Sequence, residues 1–234
     1  MYGQFFILFG LILVGYYCNK KGYLPMETNK NVGNMVMRVT IPAMLITTIA
    51  GIEITDRVLK AFLFSAAGQA AMMVVFGFLM RQYGRKRGLD SRLLPMLDLT
   101  AGSLNTGFIG LPVTMIFFGQ AGIIYMSAGV LALNLYLWSY GVYLISDKKA
   151  TGAAAIGKSF LQGAINPNCI SILLGLLLAV THTARFVPTV VLGFLTKVGD
   201  LSTPLSLIYI GALAGGSGIV QLFKEKMADR KSVV

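Results

Sequence analysis

The residues best suited to binding a solute form the string SLNTGFIGLP at positions 103–112, inside a long uncharged stretch. Its two glycines and its proline weaken an α-helix, because Pro112 lacks an amide hydrogen and clashes with the carbonyl four residues earlier. A helix interrupted here would offer amide donors and a positive dipole end to an anion, and Asn105 adds an amide that can donate or accept. The alternative is a simple proline kink whose backbone groups are satisfied by neighbouring helices.

Three further polar residues lie within apolar stretches. Asp98 could titrate and couple proton movement to transport, since burial favours the neutral form of a carboxylate. Its alternative role is an ion pair with Arg92 at the cytoplasmic edge. Asn134 and Gln69 could line a cavity, or each could make one hydrogen bond between helices.

Other chemistries find less support in the sequence. Lys197 could hold retinal as a Schiff base in a seven-helix photoreceptor, but Asp200 offers this lysine a local partner. His182, Cys18 and Cys169 have neither the neighbours nor the spacing of a metal site or a disulfide framework. Nucleophile-elbow and metalloprotease motifs do not occur. The sequence therefore predicts no enzyme, no metal and no cofactor.

The elements that must position these residues are membrane-spanning helices. Of 234 residues, 56% are hydrophobic and 12% are charged, which is more apolar surface than one soluble core can bury. A helix needs about 20 mostly apolar residues to cross the hydrocarbon of a bilayer. The uncharged runs predict an all-α integral membrane protein with about seven spans. These runs are 2–18, 35–50 with Arg38 as its one charged residue, 61–80, two spans within 99–145, 167–180, and an internally broken stretch from 188 to 223 that contains Lys197 and Asp200.

The net charge of +11 indicates the orientation of the chain in the membrane. If alternate loops share a side, fifteen Lys and Arg residues fall on one side and only Arg57, Lys60 and Arg185 on the other. By the positive-inside rule, the amino terminus faces outward and the carboxyl terminus lies in the cytoplasm, as expected for a protein of the cell membrane. The basic residues therefore do not predict nucleic-acid binding.

Spans six and seven repeat the pattern of spans one and two. The matching series are Leu8, Gly10, Leu11, Leu13, Pro25 and Pro42, and Leu173, Gly175, Leu176, Leu178, Pro188 and Pro204. Leucine-rich helices align easily, but an ordered glycine and two prolines at similar separations do so less often. Because five spans precede the second copy, the predicted repeat is inverted, as in many secondary transporters.

These motifs resemble the auxin efflux carrier family, particularly its bacterial malonate or organic-acid permeases. The resemblance is carried by KGYLP at 21–25, TIPA at 40–43, NTGFIGLP at 105–112 and TPLSLIYIG at 203–211. It implies a ten-helix carrier built from two inverted five-helix repeats, with helices one, two, six and seven as a scaffold and the rest as a transport domain. The substrate site of such a carrier lies where broken helices four and nine cross. The substrate contacts implied for this chain are Asn105, Thr106, Gly107, Pro112 and, more loosely, Asn134, whereas Asp98 has no firm counterpart.

The organisation expected from this resemblance is a first repeat at 1–145, a cytoplasmic linker at 146–166, and a partial second repeat with a basic tail at 167–234. The last three helices of the family fold would be missing. The predicted function is a secondary carrier of small organic anions such as dicarboxylates, by alternating access, with a proton or a sodium ion as the candidate coupling ion. The protein is expected to lie in the lipid bilayer. A second copy of this chain or another chain could supply the missing helices. The alternative is a truncated, non-transporting remnant or a membrane interaction partner.

Overall fold

The computed structural model describes residues 2–145 and 165–216, and within these ranges the chain forms helices and turns without strands. Six helical segments there are long and apolar enough to cross a membrane, and a seventh apolar helix is shorter. The all-helical membrane fold that the sequence predicted is therefore confirmed. The predicted linker at 146–166 falls almost entirely outside the described residues.

Spans one to seven are defined by these helical segments. Their bounds are Tyr2–Lys20, Met26–Ala50, Asp56–Lys86, Leu94–Phe118, Gln120–Leu144, Pro167–Val180 and Thr189–Gly216. Several spans are composite. Span two joins Met26–Met35 to Ile41–Ala50 through the π-helical turn Val36–Thr40, span five contains the π-helical turn Leu137–Gly141, and span seven joins Thr189–Asp200 to Ser202–Gly216.

Spans two and three are longer than the uncharged runs predicted, because their polar ends are helical as well. Span two begins at Met26 and span three runs over Asp56–Lys86. The hydroxyl of Thr55 accepts a hydrogen bond from the amide of Val58 at 3.3 Å and so caps the start of span three. The acid in its first turn and the bases in its last turn have the signs that the helix dipole favours.

The spans pack as two groups. In the first group, span one lies along the second half of span seven, and span six lies along the second half of span two. In the second group, span three packs against the first half of span four and against span five. The groups meet at a buried apolar cluster that includes Leu45, Leu111, Ile124 and Ile172. The first group contains the scaffold helices that the family resemblance implies, and the second contains helices of the implied transport domain.

Close glycine contacts relate the two copies of the internal repeat. Gly15 of span one lies directly against the backbone carbonyl of Ile208 in span seven. In the other pair, a Cβ at Gly175 of span six would stand 3.3 Å from the backbone oxygen of Leu45 in span two. The first helix of each copy thus packs on the second helix of the other copy, which is the arrangement that a two-fold related repeat produces.

Candidate functional site

Span four is interrupted at residues 103–105, between the helix Leu94–Gly102 and the π-helical turn Thr106–Gly110. Ser103 and Asn105 have non-helical backbone angles, with ψ of 89° and 69°. Short-range bonds replace the helical ones: the amide of Thr106 donates to the carbonyl of Leu104 at 2.8 Å. The chain therefore exposes two helix ends within a membrane-spanning segment.

The interruption lies upstream of the position that the proline suggested. Pro112 is the second residue of the helix Leu111–Phe118, which continues directly from the π-helical turn Thr106–Gly110. The prediction that Pro112 lies within the break is therefore corrected. The proline adjoins the π-helical turn, and the non-helical residues come before that turn.

The side chain of Asn105 has a defined orientation. Its Oδ1 accepts a hydrogen bond from the amide of Phe108 at 3.1 Å and caps the helix that follows. Because only the oxygen can accept from a backbone N–H, the NH₂ group must point the other way. Asn105 is exposed, and its NH₂ group makes no hydrogen bond to any residue that the structure describes. Within the described part of the chain it is therefore an unpaired donor beside the interruption.

The interruption lies where the two helix groups meet. The ring of Phe108 stacks on that of Tyr209 in span seven, with centroids 4.5 Å apart. A Cβ at Gly107 would stand 3.3 Å from Sδ of Met37 in span two. Thr106 is 2% exposed, and its hydroxyl has no hydrogen-bond partner among the described residues. The string predicted from the sequence thus borders both helix groups.

A cavity of about 430 Å³ lies further along the second half of span four, bordered also by spans three and five. Its polar lining includes Gln69 and Thr114. The side-chain amide of Gln69 also donates to the carbonyl of Tyr125 at 3.3 Å. Both roles considered for Gln69, cavity lining and a bond between helices, are therefore present in the structure.

Asn134 is engaged in a different contact between the groups. Its NH₂ group donates to the carbonyl of Val130 at 2.8 Å, and its oxygen accepts from the side chain of Asn166 at 2.5 Å. Asn166 in turn accepts from the amide of Asn168 and caps span six. No described hydrogen bond joins Asn134 to the interruption, so its assignment as a substrate contact stays a prediction.

Asp98 lies in the first half of span four and is 1% exposed. Its Oδ2 accepts a hydrogen bond from the hydroxyl of Tyr140 at 2.9 Å and lies 3.6 Å from a guanidinium nitrogen of Arg81. Its ionic partner is therefore Arg81 and not Arg92. Sequence reasoning did not connect Arg81 or Tyr140 with Asp98, because both residues reach it from other helices.

Other candidate chemistry does not assemble in the described ranges. Lys197 and Asp200 are both exposed, and no ion pair joins them. No group of three or more histidine, cysteine or acidic residues within 2–145 and 165–216 could hold a metal ion.

Comparisons with known proteins bear on the whole chain. A family model described as "Membrane transport protein" matches residues 1–221. An "Uncharacterized transporter" of Methanothermobacter thermautotrophicus is 26% identical over 204 residues. The matched region is 86% of this chain and 64% of that relative, so the chain spans less than two thirds of the relative's length.

Proposed function

Because this chain belongs to the membrane transport protein family, of the auxin efflux carrier type, we propose that it carries small organic anions such as dicarboxylates across the membrane. Membrane transport is the function of the family. The anionic substrate, the malonate-like specificity and the mechanism are the parts proposed here.

The observation that carries the proposal is the free NH₂ group of Asn105 at the interruption of span four. A carboxylate has only acceptor atoms, so an uncharged amide donor fixed by its own capping bond is a suitable contact. The helix that begins at the interruption adds the positive end of its dipole. The unpartnered hydroxyl of Thr106 is the next polar group along the chain.

The packing of the spans supports alternating access. The interruption belongs to the group of spans three to five, and it contacts the other group through Phe108 on Tyr209 and Gly107 beside Met37. A movement of one group relative to the other would change which side of the membrane reaches Asn105. The moving unit would then be the packed group and not a single loop.

Uptake of radiolabelled malonate into proteoliposomes tests the proposal. The informative variant is Asn105→Asp, because aspartate retains an oxygen that caps Phe108 but lacks the NH₂ donor and adds a negative charge. A hydrogen bond to a charged group is worth about 1.5–3 kcal/mol, so uptake at low substrate concentration should fall roughly ten- to hundredfold. Thermal unfolding should change little.

Asn34→Asp is the matched control, because Asn34 is an exposed asparagine of span two. It introduces the same charge on a different helix and should leave uptake unchanged. Uptake by Asn105→Asp equal to that of the unaltered chain would refute the site. Absence of saturable malonate uptake by the correctly folded, unaltered chain would refute the proposed function.

The orientation is proposed from the distribution of basic residues. We place the chain in the cell membrane with its amino terminus outside and its carboxyl terminus in the cytoplasm. A membrane-impermeant maleimide applied to intact cells should then label Glu53→Cys, between spans two and three, and not Gly88→Cys, between spans three and four. The opposite labelling would reverse the orientation.

A further inference from the structure

Asp98 is the one carboxylate that is buried in the described part of the chain. The other described acids, Glu27, Glu53, Asp56, Asp90 and Asp200, are exposed. Asp98 lies five residues before Ser103, which is about 7.5 Å along a helix axis. The carboxylate is therefore close to the interruption and belongs to the half-helix that leads into it.

A carboxylate buried in a membrane protein must be paired or neutral, because an isolated charge is expensive there. Here Arg81 supplies the pairing, but its nitrogen is 3.6 Å from Oδ2, longer than the 2.7–2.9 Å of a good charge-assisted bond. The side chain of Arg81 is 30% exposed, and its Nε has no partner among the described residues. Arg81 is thus a loosely held counterion that can reach the membrane surface along its flexible stem.

Oδ1 of Asp98 lies near the hydroxyl group of Tyr136. Neither Oδ1 of Asp98 nor the hydroxyl of Tyr136 has a hydrogen-bond partner among the described residues. Both lie against Gly77 of span three, where an added Cβ would stand 3.1 Å from the Tyr136 hydroxyl and closer still to Oδ1. A tyrosine hydroxyl can donate to a carboxylate or accept from a carboxylic acid. The cluster can therefore accommodate Asp98 in either protonation state.

We propose that Arg81 and a proton alternate as the neutralising partner of Asp98, which makes the proton the coupling ion of the carrier function proposed above. When the side chain of Arg81 extends toward the membrane surface, Arg81 separates from Asp98, and a proton from water binds the carboxylate in its place. The protonated Oδ1 then donates to Tyr136. Arg81 remains a cation throughout, so each cycle binds and releases one proton.

The surroundings favour a proton over a sodium ion. The charged or titratable groups known to face Asp98 are Arg81 from span three and Tyr136 and Tyr140 from span five. A sodium ion needs several oxygen ligands, and the guanidinium of Arg81 would repel it. Within the described ranges every other acid is exposed, so no second buried carboxylate is available as a ligand beside Asp98.

Infrared spectroscopy of the chain in lipid bilayers tests the exchange without requiring transport. The carbonyl stretch of a protonated carboxyl group reports neutral Asp98 directly. At neutral pH, Arg81→Gln should give a signal roughly tenfold larger than the unaltered chain, because removal of an adjacent positive charge favours the neutral form. Arg81→Lys should behave like the unaltered chain.

Four further variants assign the signal to Asp98. Asp98→Asn in the Arg81→Gln background should abolish it, and this double variant lacks both charges and should fold. Asp200→Asn in the same background is the control and should retain it. Tyr136→Phe should shift its frequency by removing the acceptor, whereas Tyr143→Phe, at an exposed tyrosine of the same span, should not. If Arg81→Gln gives no such signal, Asp98 stays charged without its counterion and the proposal is overturned.

Uptake measurements distinguish a failure of the proposed proton site from a failure of the proposed carrier function. Malonate uptake by the unaltered chain should respond to a proton gradient, and Asp98→Asn should lose that response. A response retained by Asp98→Asn overturns the proton site. If the infrared results are as expected but the unaltered chain takes up no malonate, the exchange at Asp98 is supported and the proposed substrate is wrong.

Discussion

Spans two and four contain the same backbone motif, yet only span four is interrupted. In each span a five-residue π-helical turn leads into an α-helix whose second residue is proline, Pro42 or Pro112. Upstream of that turn, span two continues as the regular helix Met26–Met35, whereas residues 103–105 of span four are non-helical. Because the proline is common to both spans, it can explain the π-helical turn but not the interruption.

The two spans differ in the residues just before the turn. Relative to the two prolines, Asn105 of span four corresponds to Met35 of span two, and Gly102 corresponds to Val32. Asn105 caps the amide of Phe108, and short polar side chains of this kind offer the backbone an alternative to helical bonds. Methionine cannot do so, and it favours helix. A capping side chain at this position, in addition to a proline, distinguishes the interrupted span.

The largest effect on stability is expected when Gly102 of span four is replaced by valine, the residue at the corresponding position of span two. Gly102→Val would place a Cβ 2.7 Å from the backbone carbonyl of Met73 and against the hydroxyl of Tyr136. A backbone atom cannot move cheaply, so overpacking should lower the free energy of unfolding by about 1–3 kcal/mol. Thermal unfolding in detergent micelles, followed by circular dichroism, measures the change.

Gly68→Val is the control for this substitution. A Cβ at Gly68 of span three meets no atom within 4 Å, so the same change in volume should cost much less there. Equal destabilisation by the two variants would mean that valine acts through local backbone preferences. The close approach of spans three, four and five at Gly102 would then not be needed for stability.

The sequence was sufficient to predict the helices and their membrane-spanning character, because a bilayer requires long uncharged runs. It misplaced helix ends, as at span three, because charged residues such as Asp56 and Lys86 continue a helix beyond the hydrocarbon. The glycine and proline pattern also indicated an internal repeat, but not which of its helices pack together. Helix periodicity and span length are local properties, and for that reason they can be recognised without coordinates.

The candidate site was only partly predictable. The string at 103–112 contains the interruption, but the sequence did not show that it lies before Thr106 or that Asn105 caps the amide of Phe108. The partner of Asp98 was missed because Arg81 lies on another helix, 17 residues earlier in the chain, and meets it only through packing. Contacts of this kind are properties of the folded arrangement of helices and leave no periodic signal in the sequence.

A smaller effect on stability is expected from exchanging the residues at the capping position, Asn105 of span four and Met35 of span two. Asn105→Met gives span four the residue of span two, and loss of an N-cap should cost about 0.5–2 kcal/mol in unfolding free energy. Malonate uptake should also be lost, because methionine has no donor. Met35→Asn makes the reverse change at an exposed position and should leave uptake intact. If Asn105→Met retained uptake, substrate binding at the interruption would not require the capping side chain of Asn105.

The smallest effect is expected from the prolines themselves. Pro42→Ala and Pro112→Ala should each change the unfolding free energy by less than about 0.5 kcal/mol, since each proline follows a π-helical turn, whose wider backbone accommodates the ring and the missing amide hydrogen. Hydrogen exchange should nevertheless distinguish them. The new amide at position 112 follows an interruption and should open locally more easily than the one at position 42, which follows continuous helix.

The expected difference in exchange is roughly tenfold, equivalent to about 1.4 kcal/mol of local opening free energy. Mass spectrometry of peptides that span each substituted residue would measure it, and both residues are buried, so solvent exposure in the folded state does not favour either one. Equal protection would show that the helix after residues 103–105 is as firmly held as the second half of span two. The interruption would then be a static feature of span four, and movement of the packed group as a whole would have to provide access to Asn105.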